Sequence, residues 1–172
     1  MLKMLTTQLN GLFQRISGSE EEAIEETARL LAQATFGHGR VFFVCYDELQ
    51  AIEMNALHAE EKFTNLHAWN DSITLTEQDR VCIFTRHADH PEALAFAKKL
   101  YEQFIPFGVV TSEKADDAGA MTDYAYTYIS MGIRKGLLPN DLGERIVVPH
   151  TLAASFIYEA MKIAYDEMVD GE

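Results

Sequence analysis

Two cysteines, four prolines and one tryptophan are all that a chain of 172 residues carries of those types. Cys45 and Cys82 both lie inside apolar runs, in neither a CxxC nor a metal-ligand spacing. They read as small buried hydrophobes in a reducing compartment, not as a disulfide or redox pair. No run approaches the ~18 consecutive apolar residues of a membrane span. The N-terminal stretch MLKMLTTQLNGLFQRIS has no small-residue cleavage site after a continuous apolar core, so a cytoplasmic protein of bacterial type is expected. Walker A, GxGxxG, GxSxG and HExxH motifs are all missing, which leaves nucleophile, metal and dinucleotide enzymes without positive support. No cofactor and no metal site are expected. Repeats, low-complexity tracts and linkers are absent as well.

Positive charge is scarce too. Lysine and arginine number 14 against 27 aspartates and glutamates, a formal charge of −13. Such a surface repels phosphate backbones and anionic lipids, which argues against nucleic-acid and membrane partners. One local basic pocket can still hold a single phosphate, because short hydrogen bonds outweigh a screened net charge. The apolar fraction of 48% suits a packed core, and the length fits one domain, residues 1–172, with residues 1–18 as an N-terminal helical extension.

Leu2, Leu5, Leu9, Leu12, Phe13 and Ile16 recur at helical spacing, so residues 2–16 read as an amphipathic helix that Gly18 ends. Ser19 with Glu22 forms a capping box for a second helix running to Phe36, stopped by Gly37 and Gly39. RVFFVCY, residues 40–46, is the short continuous apolar run of a strand buried on both faces. Asp47 is placed as the N-cap of a helix reaching Glu61, followed by loop over 62–71. Strands are expected at 72–75, 81–84, 107–111, 124–129 and 146–148, with helix as the alternative at 124–129. Pro91 opens a helix over 91–104, and the last helix runs from Thr151, as N-cap, to about Met168. SEKADDAG between strands reads as a surface loop. Strands alternating with helices predict an α/β fold: a three-layer, doubly wound parallel sheet. The last helix is apolar on more than one side: Leu152, Phe156, Ile157, Met161, Ile163, Ala164 and Met168 leave a narrow polar stripe. Burial against the sheet and against a second subunit, or against the N-terminal helix of the same chain, accounts for this.

In an open α/β sheet, ligands bind outside the carboxyl ends of the strands. At one such end, in VCIFTRHADHP, Thr85 offers a hydroxyl, Arg86 a bidentate fork, and His87 and His90 ring donors, a set suited to phosphate or carboxylate. The competing reading pairs Arg86 with Asp89 or Glu92 and leaves both histidines in solvent. Asp47 and Glu48, at another strand end, put negative charge at a helix start; they serve as caps or as acceptors for sugar hydroxyls. His150 and Thr151 follow Val-Val-Pro at a further end, where a histidine near neutrality can move a proton on a bound ligand. His58 and Glu61 are three apart on a helix face, half of a metal site at most.

The order of pieces resembles a known family. RVFFVCYDELQAIEMNAL is similar to the first strand, loop and helix of sugar isomerase (SIS) domains. VCIFTRHADHPEALAFAKKLYEQFIPFGVVTSEK resembles their second unit, and ERIVVPHTLAASFIYEAM their closing strand and long helix. The resemblance covers about residues 20–168 and points to the short bacterial proteins of phosphoheptose isomerase type. It implies a five-stranded parallel sheet, a phosphosugar ligand, and a homodimer formed through the C-terminal and N-terminal helices. It implies that Thr85, Arg86 and His87 occupy the phosphate loop, with Thr111 and Ser112 close to the ligand at the next strand end. The family's first loop is rich in Gly and Ser; here it is Tyr46-Asp47-Glu48. Its isomerases use a helix-borne Glu and a His on a late helix. Candidates for that chemistry are His150, Glu61 and His58, and none is assigned. The expected activity is phosphosugar binding with aldose–ketose isomerisation; the alternative is a non-catalytic phosphosugar sensor or an interaction module.

Overall fold

Val41, Phe42, Phe43 and Val44 are all buried, and they alternate between the two faces of one sheet. That alternation organises the computed structural model, which describes residues 1–171. Its elements are α1 (Leu2–Phe36), β1 (Val41–Cys45), α2 (Gln50–His58), β2 (Leu66–His67), β3 (Arg80–Phe84), α3 (Pro91–Glu102), β4 (Phe107–Thr111), α4 (Ala120–Tyr124), β5 (Thr127–Ser130), β6 (Leu138–Pro139), β7 (Arg145–Ile146) and α5 (His150–Asp170). The five-stranded sheet has the order β2-β1-β3-β4-β5, and all its pairings are parallel. Phe43 lies opposite Cys82 and Val110 opposite Ile129 in this register. Val41, Phe43, Cys82, Phe84, Val110 and Ile129 pack against α1, α2 and α5, while Phe42, Val44, Val81, Ile83, Phe107 and Val109 pack against α3 and α4. This is the three-layer, doubly wound architecture expected from the sequence.

Several boundaries differ from the expectation. Gly18 does not divide the N-terminal helix. Leu12, Ile16, Ile24, Ala28 and Leu31 are buried in one stripe whose four-residue step carries straight through Gly18. Packing of that stripe outweighs the ~1 kcal/mol a mid-helix glycine costs. Ser19 caps nothing: its hydroxyl donates to the Arg15 carbonyl at 2.8 Å, inside the helix. Between Ile16 and Ile24 in that stripe, Glu20 accepts from the Ser130 amide at 2.6 Å and so pins α1 to the end of β5.

Asp47 is not an N-cap. It begins a single 3-10 turn, Asp47–Leu49, with φ at 54°, and α2 follows and ends at His58. The fifth strand is Leu66–His67, within the expected loop, and residues 72–75 are irregular. YAYTYI divides into the end of α4 and the start of β5. Arg145–Ile146 pairs antiparallel with Leu138–Pro139 in a separate hairpin and stays out of the main sheet. The last helix begins at His150, with Pro149 at the cap position and no side-chain cap, so Thr151 is not the N-cap.

Candidate functional site

Chain order reverses between β1 and β3: the strand after β1 goes to one side, the remaining strands to the other. A crevice opens outside the carboxyl ends of strands at such a point. Backbone bonds continue the ladder past the strands and hold the loops together. The Tyr46 amide donates to Phe84 O at 3.0 Å, the Thr85 amide to Val110 O at 3.1 Å, and the Ser112 amide to Arg86 O at 2.9 Å.

The rim brings together Arg86, His87, His90 and His150, and each has a protein partner. Arg86 Nη2 is 3.4 Å from Asp47 Oδ2, and its Nε is 2.9 Å from Glu48 Oε2 without the angle of a hydrogen bond. Neither Asp89 nor Glu92, the partners considered from sequence, pairs with it. His90 caps α3: its Nδ1 accepts from the Ala93 amide at 3.2 Å. The lone pair on Nδ1 is thereby used, which puts the neutral ring's proton on Nε2, facing Asp47 Oδ2 at 3.4 Å. Tyr46 packs on the same ring at 4.9 Å between centroids. His87 Nδ1 lies 2.7 Å from Glu113 Oε1, and Glu113 Oε2 accepts from the Ala88 amide at 3.0 Å. His150 Nε2 is 2.9 Å from Ser112 Oγ, and its Nδ1 is 3.8 Å from Glu48 Oε1. The His87 and His150 rings meet edge to face at 5.8 Å.

Three carboxylates and four bases therefore interleave around the rim, with His87 and His150 side by side. Burial is the main force pushing the His150 pKa below the ordinary histidine value; His87 and Arg86 add to it, while Glu48 and Glu113 oppose it. Neutral His150 is a proton acceptor close to a carboxylate. Burial alone would raise the Glu113 pKa, but the Ala88 amide and His87 bring it below the usual range.

The hydroxyls are turned inward. Buried Thr85 donates to His87 O at 3.2 Å, and buried Thr111 shares its hydroxyl with Tyr128, which donates on to Glu113 O at 2.6 Å. Thr151 makes no cap bond. His58 and Glu61 are not brought to the rim. α2 starts there and carries His58 eight residues away, about 12 Å at helical rise. Exposed Glu61 instead lies 4.0 Å from Lys162, twelve residues along α5 from His150. Among the described residues, no group of three or more His, Cys, Asp and Glu side chains is arranged to hold a metal. Among the same residues no helix is long and apolar enough to cross a membrane.

Glu113 escaped the sequence reading, which picked Thr111 and Ser112 at that strand end and read SEKADDAG as a surface loop. The signal was its position two residues beyond the end of β4, the same rule that selected Arg86.

A family model described as a domain of unknown function (DUF2529) matches residues 1–169. An uncharacterized protein of Bacillus subtilis, YwjG, is 34% identical over 171 residues, covering 98% of each chain. Among solved structures, a proposed phosphosugar isomerase involved in capsule formation from Bacteroides fragilis superposes with a TM-score of 0.75 at 14% identity, over 98% of this chain and 90% of that one. The phosphoheptose isomerase GmhA of Neisseria gonorrhoeae gives 0.67 at 12% identity, over 96% and 97%. At such identities the likeness establishes the fold, that of sugar isomerase domains, as the sequence resemblance implied.

Proposed function

The chain belongs to the DUF2529 family, and from that premise and its sugar-isomerase fold we propose that it binds a phosphorylated sugar, or a similar small anion, at the rim between β1 and β3. One observation carries the reading. Four basic side chains from two separate loops converge where the chain order reverses, in a molecule of net charge −13. Proteins named as phosphosugar isomerases share the fold.

The carboxylates now paired with Arg86 do not bar such a ligand. Asp47 and Glu48 are about 40% exposed, and ion pairs that open to solvent are worth about 0–1 kcal/mol. A phosphate dianion offers the guanidinium a bidentate partner of higher charge and displaces them. Freed, Asp47 and Glu48 accept sugar hydroxyls. In an aldose–ketose isomerisation of phosphoheptose isomerase type, neutral His150 or Glu48 takes a proton from one carbon and returns it to its neighbour, while Arg86 holds the phosphate. The inward-turned hydroxyls of Thr85 and Thr111 favour a second reading, a phosphosugar sensor without turnover. In both readings the working unit is a homodimer.

Thermal unfolding with sugar phosphates at about 1 mM tests binding; a dissociation constant of about 100 μM raises the midpoint by about 3–6 °C. Arg86→Ala removes the shift. No shift with any aldose or ketose phosphate leaves the rim an internal ion-pair network. Conversion of sedoheptulose 7-phosphate separates the enzyme from the sensor.

A further inference from the structure

The rim does not use the chain's most concentrated unpaired positive charge. A cavity of about 770 Å³ lies between α1 and the carboxyl ends of β4 and β5, and Arg15, Lys114 and Arg134 line it. It runs into a second, of about 210 Å³, with which it shares Arg15, Gly132 and Arg134, and to which Lys135 and Arg145 contribute. That one continues into a third, of about 270 Å³, through Gln8, Leu137 and Arg145, with Lys3 at its end. Six of the 14 lysines and arginines line this one groove.

Among the described residues only one carboxylate joins them, Glu20, and it is held by the Ser130 amide. Among the described residues none of the six cations has a carboxylate within 4.0 Å, whereas Arg40, Arg86, Lys98 and Lys162 all do. Arg145 is fixed by the carbonyls of Gly136 and Leu137, at 3.0 and 2.8 Å, which anchor its side chain without cancelling its charge.

A strip of five net positive charges in a molecule of −13 is a focused field that selects anions. The charges are strung along the groove, from Lys114 past Arg15 and Arg134 to Arg145 and Lys3, so one phosphate satisfies a fraction of them and a chain of phosphates satisfies most. The wide end also offers apolar wall from Ile16, Ala23 and Met131, and a volume suited to a small organic molecule. We propose that this groove binds a nucleoside di- or triphosphate, with the phosphate chain along Arg15, Arg134 and Arg145 and the nucleoside in the wide end. The site is separate from the rim and does not depend on phosphosugar binding there.

Thermal unfolding with ATP, inorganic tripolyphosphate and glucose 6-phosphate is the test. ATP at about 1 mM raises the midpoint by about 3–6 °C for a dissociation constant of about 100 μM, and added salt diminishes the rise. Tripolyphosphate produces a smaller rise, since it lacks the nucleoside. Arg15→Glu with Arg134→Glu removes the ATP effect and leaves the unliganded midpoint in place; both side chains are exposed, so folding tolerates the change. Arg86→Ala leaves the ATP effect intact even where it abolishes a phosphosugar effect. The proposal is overturned if ATP gives no shift, if tripolyphosphate matches ATP, or if Arg86→Ala alone removes the ATP effect. It is also overturned if the double variant changes only the mass in light scattering, which makes the groove a contact between copies.

Discussion

Asp79 ties two segments together with one buried carboxylate. Its Oδ1 accepts from the Arg40 amide at 2.9 Å and from Arg40 Nε at 3.2 Å; its Oδ2 accepts from Arg40 Nη2 and the Thr76 amide, both at 2.8 Å. Burial favours the neutral acid, but Arg40 and the two amides outweigh it and lower the pKa. Glu113 and His150 are lowered as well. For each, the unfolded chain takes up the proton at a higher pH than the folded one, so stability is lost as pH falls. For His150 the loss starts near its unfolded value of about 6.5; for Asp79 and Glu113 it starts near about 4 and proceeds through their lowered values. Asp79→Ala leaves the guanidinium and two amides without their acceptor and is expected to cost about 2–4 kcal/mol in urea unfolding. The variant's acid-side stability profile is also expected to be flatter; a loss under about 0.5 kcal/mol contradicts this account. At this scale the candidate bases were legible, because Arg86, His87 and His90 stand together in one turn. Their partners were not, because Asp47, Glu48 and Glu113 come from other loops and only the folded rim brings them into reach.

At the scale of the element, two glycines behave in opposite ways. Gly18 lies inside α1 with nothing within 4 Å of where a Cβ would sit. Gly18→Ala is expected to stabilise the protein by about 0.5–1 kcal/mol, since alanine removes backbone freedom that the helix does not need. Gly108 lies on β4 where α1 crosses the sheet. A Cβ there would sit 2.7 Å from Thr127 Oγ1 and 2.8 Å from Thr27 Cγ2, and the two threonines are bonded to each other at 2.7 Å. Gly108→Ala is expected to cost about 1–3 kcal/mol, because helix and sheet must separate. Thermal or urea unfolding of the pair checks both; a loss at Gly18 would mean the helix bends or pauses there. Sequence reading took Gly18 for a stop because it weighed the local residue above the longer stripe. It took 72–75 for a strand and passed over Leu66–His67, since two residues carry no measurable alternation.

At the scale of the molecule, the fold was the most legible feature. Continuous apolar runs such as VFFVC and FGVVT separated by helices leave few arrangements other than a parallel sheet with helices on both faces. Assembly is less legible. α1 covers part of α5, with Phe13 stacked on Phe156 at 4.6 Å, yet Leu152 and Ile163 remain 45% and 62% exposed. A groove of about 290 Å³ between the two helices is lined by Ile24, Phe156 and Ile163. The proposed homodimer buries this face. Light scattering at micromolar concentration is expected to give twice the chain mass, and Ile163→Glu to halve it; a monomeric parent chain overturns the dimer.

The seating of α1 against α5 also sets a timetable. A ribosome at about 5–20 residues per second needs roughly 7–27 s to travel from the end of one to the end of the other. Through that interval the strands that cover one side of Leu12, Ile16, Ile24 and Leu31 arrive in turn, and α5, which covers the other, arrives last. Until α5 emerges, the greasy ridge those residues form is a natural target for chaperones that wait at the exit tunnel.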